Sequence, residues 1–309
     1  MYTSLKSTGG GHRAIPHTDL PFPDRLAKAV SAKDSRVCVG LDPRLDMLPE
    51  TFARADDIVT ASVEFCRNII DAVADVAVCV KPQAAYFEAL APCGLAAMWK
   101  VVSYAKKRGL LVIVDAKRSD IGSTAEAYAR ACFGQHHQDA AATPDAVTVN
   151  PYLGTDGVRP FIEMADEVSG GIFVLVKTSN ESSGELQDLQ ADGAAIYEHM
   201  ADLVTRWGEG RIAECGYSPV GAVVGATYPK QLQELRERMP HSIFLVPGYG
   251  FQGGGAEDVA AAFDENGLGA VVNSSRGIIY AYRQHGGDFT EAAFKAAQTM
   301  REDINATIG

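Results

Sequence analysis

The stretch Leu110–Thr124 reads LLVIVDAKRSDIGST. Its apolar run, Leu110 to Val114, has the make-up of a buried strand and ends in Asp115, Lys117, Arg118 and Asp120. Alternation along a strand puts Asp115 and Lys117 on one face, and Asp120 follows where the strand gives way to a loop. A lysine between two carboxylates is costly to bury. At the end of a strand it suits a site that handles a proton and an unstable negative charge.

Seven further segments share that character: Val37–Asp42, Val76–Lys81, Ala146–Asn150, Gly171–Lys177, Val220–Ala226, Ile243–Pro247 and Ala270–Asn273. They are continuous apolar runs, as expected of parallel strands covered on both faces. Helical spacing fills the intervals over Asp57–Ala74, Glu88–Arg108, Ser123–Phe133, Gly157–Asp166, Asp192–Trp207, Lys230–Arg238 and Ala256–Phe263, with Thr290–Asn305 after the last strand. Strand and helix alternating eight times predict an α/β fold, a single-domain (β/α)8 TIM barrel. A doubly wound open sheet needs fewer strands and would discard two good candidates. Residues 1–23, with Gly9, Gly10 and Gly11, are expected to be a flexible extension, and residues 24–309 the catalytic barrel.

The 309 residues are 47% hydrophobic and 22% charged, enough to bury a large core. A net charge of -11 argues against a nucleic-acid groove or an anionic membrane surface. No apolar run reaches the length of a membrane span. The six cysteines include no CxxC pair, which suits reduced thiols in a cytoplasmic protein. His136 and His137 fall in a loop, no His/Asp/Glu set has metal-ligand spacing, and no serine occupies a GxSxG elbow. Neither a metal nor a cofactor is assigned.

Polar residues gather where the strands end: Asp42, Lys81, Asp115, Asn150, Lys177, Thr227, Pro247 with Gly248, and Asn273 with Ser274. In barrels that face carries the active site. Lys81, Asp115, Lys117 and Asp120 alternate two cations with two anions, a set that fixes each lysine and raises the cost of another arriving anion. A structural ion-pair network at the rim is the plainer alternative, but desolvation makes such networks poor stabilisers. After the seventh strand, PGYGFQGG (Pro247–Gly254) contains a formal GxGxxG. It follows the wrong strand for a dinucleotide fold. Its amides and Gln252 suit a phosphate, as do Ser275, Arg276 and Gly277 in NSSRGI after the eighth strand. Thr178, Ser179 and Asn180 suit either a heterocycle's edge or a turn. Lys177 is either a rim charge or a Schiff-base amine.

These motifs resemble the orotidine 5'-phosphate decarboxylase family, in its longer bacterial subgroup. The elements that carry the resemblance are GLDPR (Gly40–Arg44), VKPQ (Val80–Gln83), DAKRSDIGST (Asp115–Thr124), KTSN (Lys177–Asn180), PGYGFQGG and NSSRGI. They occur in family order and span nearly all of residues 24–309. The resemblance implies cofactor-independent decarboxylation of orotidine 5'-phosphate to UMP, the last step of de novo pyrimidine nucleotide synthesis, by a homodimer with shared active sites. It implies Lys117 as proton donor, Asp115 against the departing carboxylate, and Lys81 holding Asp115 and ribose oxygens. Asp120 and Thr124 would reach the partner's site. Asp42 would meet the ribose, Ser179 or Thr178 the pyrimidine, and Gln252 and Arg276 the phosphate, with Pro247, Gly248, Ser275 and Gly277 around them. Tyr249 and Phe251 depart from the family's phosphate loop. The competing readings are a metal-dependent sugar-phosphate decarboxylase or aldol-type synthase, a Schiff-base aldolase using Lys177, and a non-catalytic phosphate-binding barrel.

Overall fold

The computed structural model describes residues 20–134, 142–250 and 254–309. Eight parallel strands close into a barrel: β1 (Val37–Leu41), β2 (Cys79–Pro82), β3 (Leu111–Arg118), β4 (Ala146–Val149), β5 (Gly171–Lys177), β6 (Ser218–Val224), β7 (Ser242–Pro247) and β8 (Ala270–Ser274). Each strand pairs with its chain neighbour, and β1 closes the ring on β8 with Cys38 opposite Asn273. The expected (β/α)8 architecture is therefore the observed one.

The apolar runs are explained by two cores. Between strands and outer helices lies a shell built from residues such as Phe65, Ile69, Phe87, Phe161 and Met300. Inside the barrel a second cluster contains Val78, Ile113, Phe173, Leu245 and Val271. Every strand is thus apolar on both faces, which removes the alternation an exposed sheet would have.

Apart from short helices of four or five residues, one helix among the described residues has no counterpart among the expected elements. Phe22–Lys33 begins with Pro21 and Pro23 in its first turn, carries Asp24 there and Lys33 in the last turn, and stops at Asp34 in a left-handed conformation. Leu26 and Val30 stand one turn apart and join the inner cluster, and Phe22 meets Phe173 edge-on at 5.9 Å. The helix plugs the N-terminal end of the barrel. Arg25 and Lys106 both pair with buried Asp145, whose other oxygen accepts from the Val112 amide at 2.8 Å. The expected boundary at residue 24 falls inside this helix, since Phe22 and Pro23 are buried. Residues 1–19 lie outside the described part, as do His136 and His137.

Three expected helices are shorter than their spacing suggested. Glu88–Arg108 opens on the last residue of a separate short helix, Ala84–Glu88, passes through a 3-10 turn, Ala91–Cys93, and is α-helical only over Gly94–Lys107, because Pro92 starts a new turn and Gly94 packs too close to the Phe87 carbonyl for any side chain. Asp192–Trp207 gives way to a small ribbon, Gln190–Ala191 against Ala194–Ala195, turned by Asp192 and Gly193 at positive φ, and its helix starts at Ile196. Ala256–Phe263 is one α-turn, Ala256–Val259, followed by 3-10 geometry.

Candidate active site

Asp115 is the centre of the C-terminal mouth. The residue is 5% exposed, and each carboxylate oxygen accepts two hydrogen bonds. Oδ1 takes Lys117 Nζ at 2.5 Å and Thr148 Oγ1 at 2.8 Å; Oδ2 takes Lys81 Nζ at 2.7 Å and Gln83 Nε2 at 2.9 Å. Lys81, Asp115 and Lys117 are brought together as the sequence led us to expect. Thr148, inside the apolar run of β4, and Gln83, just past β2, were not anticipated as members. Gln83 forms an isolated bridge with Asp115, which is why its amide reaches the carboxylate.

The backbone at Lys117 is unusual. Pairing between β3 and β4 slips between Val114 and Arg118, and Lys117 takes φ 46°, a left-handed value that a non-glycine residue adopts at a cost of about 1–2 kcal/mol. The Lys117 amide donates to Thr148 Oγ1 at 2.9 Å, so one hydroxyl holds both the irregular backbone and the carboxylate. Strain of this kind collects where geometry matters to function. The bulge turns the Lys117 side chain toward Asp115 while leaving it 43% exposed to the cavity mouth.

Electrostatics follow from burial against charge. Burial alone would raise the Asp115 pKa, but Lys81 first and Lys117 second outweigh it and hold the carboxyl well below its ordinary value. Burial would likewise lower the Lys81 pKa, and Asp115, followed by Asp42, more than reverses this and keeps the ammonium charged. Both groups are ionised throughout the physiological range.

The remaining candidates are arranged around this centre. Asp42 follows β1 with Oδ1 buried and lacking a hydrogen-bond partner among the described residues. Its backbone is fixed from β8's side: Tyr280 Oη donates to the Asp42 carbonyl and accepts from the Arg44 amide, both at 2.7 Å. A cavity of about 510 Å³ lies over the network. Lys81, Asp115 and Lys117 line it on one side, Thr178, Ser179 and Pro247 on the other. Ser179 is seated against Gly225, where a side chain on that glycine would meet Ser179 at 3.0 Å. Asp120 and Thr124 are not in this lining. Asp120 accepts from the Ile121 amide at 2.8 Å, and Thr124 is exposed on the helix Gly122–Cys132.

After β7, Gly248 and Gly250 take φ 103° and 77°, values that only glycine adopts without strain. The loop returns with Gly250 donating to the Gly254 carbonyl. Gln252 lies outside the described residues. After β8, Ser275, Arg276 and Gly277 lead into a short turn of helix, and the Ser275 hydroxyl fills the space left by Gly40 on β1. Gly40 in GLDPR is thus a packing requirement of the neighbouring strand. Lys177 is neither a rim charge nor a free amine: it is fully buried and paired with Asp188. No group of three or more His, Cys, Asp or Glu side chains suited to a metal occurs among the described residues.

A closed parallel barrel with a lysine–carboxylate network at its C-terminal mouth and glycine-rich turns after β7 has the form of a barrel enzyme acting on a small molecule. Residues 35–285 match the Orotidine 5'-phosphate decarboxylase / HUMPS family. The chain is 53% identical over 281 residues to orotidine 5'-phosphate decarboxylase of Rhodopirellula baltica, covering 89% of this chain and 92% of that one. It is 41% identical over 310 residues to the enzyme of Caldicellulosiruptor bescii, covering 94% and 99%. The solved structure of Leishmania donovani OMP decarboxylase superposes with a TM-score of 0.74 at 34% identity, over 94% of this chain and 99% of that one. The chain belongs to the orotidine 5'-phosphate decarboxylase family.

Proposed function

We propose that the chain converts orotidine 5'-phosphate to uridine 5'-phosphate and carbon dioxide in pyrimidine nucleotide synthesis. The observation that carries this reading is the Asp115 carboxylate held by two lysines beneath a cavity of nucleotide size. When carbon dioxide leaves the pyrimidine, the bonding electron pair stays on the ring carbon. Lys117, pinned beside Asp115, faces that developing charge and then delivers its proton to the same carbon. Asp115 stands against the substrate carboxylate and disfavours it relative to the transition state; Lys81 keeps Asp115 ionised and in place. Enzymes of this kind lower barriers by about 8–23 kcal/mol, more than one proton donor supplies. Binding energy from the phosphate, held by Arg276, Gln252 and the amides around Gly248, Ser275 and Gly277, contributes the rest when it is realised in the transition state. Asp42, whose buried Oδ1 has no hydrogen-bond partner among the described residues, takes the ribose, and Thr178 with Ser179 the pyrimidine edge. The direct test is the fall in orotidine 5'-phosphate absorbance on adding purified protein with a chelator present. Absence of conversion, with or without magnesium, would redirect the assignment to sugar phosphates or to binding alone.

Arg276→Ala is expected to raise KM by about 10- to 100-fold, the worth of a charge-assisted contact, with a much smaller change in kcat. Steady-state kinetics decide this, and an unaltered KM would remove Arg276 from the phosphate site.

We further propose a homodimer in which Asp120 and Thr124 serve the partner's ribose. Support comes from the exposed apolar side chains that flank them, Ile121, Tyr128, Tyr152 and Leu153. Gly157 draws these together: a side chain there would meet both the Asp120 carbonyl and Leu153. Such a patch beside a mouth fits an interface between copies. Mixing inactive Lys117→Ala and Asp120→Ala proteins should restore about a quarter of wild-type activity, because each hybrid dimer keeps one intact site. No recovery despite verified subunit exchange would refute site sharing. A cytoplasmic setting accords with the free thiols of Cys38, Cys66, Cys79, Cys93, Cys132 and Cys215.

A further inference from the structure

Lys177, the last residue of β5, is the unexplained charge of the mouth. Its side chain is fully buried, yet it is not among the residues that line the cavity. Nζ meets Asp188 Oδ1 at 2.5 Å and stands over the ring of Tyr228 at 4.6 Å and that of Tyr197 at 5.5 Å. A buried ammonium stabilises a fold no better than an apolar side chain of the same size, because desolvation offsets most of the attraction. Its position therefore invites a functional explanation.

Asp188 ends the short helix Gly184–Gln187, part of a segment between β5 and the helix Ile196–Gly208. Gly184 leaves room for the pair: a side chain there would meet Asp188 Oδ2 at 2.8 Å. The residue before Asp188 is Gln187, which lines the cavity. Its Oε1 accepts from the Thr178 amide at 3.0 Å and its Nε2 donates to Thr178 Oγ1 at 2.7 Å. Thr178 in turn donates to Asn180 Oδ1 at 2.6 Å. Lys177 thus holds Asp188 from behind, Asp188 holds Gln187, and Gln187 fixes the orientation of Thr178 beside Ser179. A second tie, Ser183 Oγ to Tyr228 Oη at 3.3 Å, fastens the segment to the same tyrosine that covers the ammonium.

We infer that Lys177 and Asp188 form a latch that positions the segment Asn180–Ala195 over the base end of the cavity, so that Lys177 acts as a positioning residue for pyrimidine recognition and not as a nucleophile. This rests on the orotidine 5'-phosphate reading, which wild-type turnover tests before any variant is compared; a wild-type protein inert toward that nucleotide refutes the reading itself.

The test compares Lys177→Met, Asp188→Asn and the double variant. KM for orotidine 5'-phosphate should rise about tenfold in each single variant, with a smaller fall in kcat, and the double variant should be no worse than the poorer single one. Inhibition by ribose 5-phosphate, which lacks the base, should stay within about twofold of wild type, a split that general misfolding would not produce. Amide exchange at residues 178–195 should quicken in Asp188→Asn without any ligand. Asp188 is half-exposed, so this variant keeps the test open if Lys177→Met fails to fold. A KM within twofold of wild type in Asp188→Asn, or ribose 5-phosphate affinity falling in step with KM, would overturn the latch.

Discussion

Lys117→Ala is expected to lower kcat by at least about a thousandfold while leaving affinity for uridine 5'-phosphate within a few-fold of wild type. The side chain is 43% exposed and contacts Asp115, so its loss leaves Lys81, Thr148 and Gln83 still satisfying that carboxylate. The fold and the ribose and phosphate contacts are therefore spared, and what is lost is the charge beside the reacting carbon and its proton. Steady-state kinetics with a calorimetric titration of the product separate the two effects. Near-normal turnover would refute the role. Lys117→Gly offers a second comparison: at φ 46° glycine is relaxed where alanine is strained, so the glycine variant should be the more stable by about 1 kcal/mol and equally inactive. Equal stability would mean that the bulge at Lys117 costs the fold nothing.

The barrel and its charged centre were legible in the sequence for one reason. Eight apolar runs buried on both faces leave a periodicity-free signature, and polar residues gather where those runs end, which is where the mouth is. The same logic hid Thr148. It lies within AVTV, surrounded by residues that belong to the core, and nothing in its own type distinguishes a hydroxyl aimed at Asp115 from a tolerated core threonine. Gln83 depends on the β2–β3 register, which a single strand does not reveal. The helix Phe22–Lys33 did carry a signal, paired prolines at its start and Leu26 with Val30 at helical spacing, but the boundary drawn at residue 24 cut through it. Lys177 kept two readings in the sequence because its partner lies eleven residues on, across a turn and a short helix whose geometry only the folded chain defines.

Asp115→Asn should destabilise the protein by about 3–5 kcal/mol and reverse the sign of the Lys81 contribution to its pH dependence in alkali. In the native protein Lys81 is buried and its pKa is raised, chiefly because Asp115 overcomes the burial penalty. A raised folded pKa means that the Lys81 contribution is fully present below the ordinary lysine value of 10.5 and is lost as pH climbs through the folded value. Asp115 itself, with a depressed pKa, contributes above the ordinary carboxyl value of 3.8 and loses that contribution only as strong acid reaches its folded value. Stability from these groups is thus level across neutral pH and declines at both extremes. An asparagine removes the anion and turns an amide toward two ammonium groups. Lys81 then keeps its burial, the largest influence on it, gains a like charge from Lys117, and retains only the weaker attraction of Asp42, so its folded pKa drops below 10.5. The unfolded state now binds more protons than the folded one, and stability must rise with pH through that window. Measured relative to the native protein, which carries the same buried thiols and so cancels their titration, the urea midpoint of Asp115→Asn should climb from about pH 8 to about pH 10. A variant whose midpoint stays parallel to wild type would show that Asp115 is not what keeps Lys81 charged, and the electrostatic basis assigned to Lys117 would fall with it.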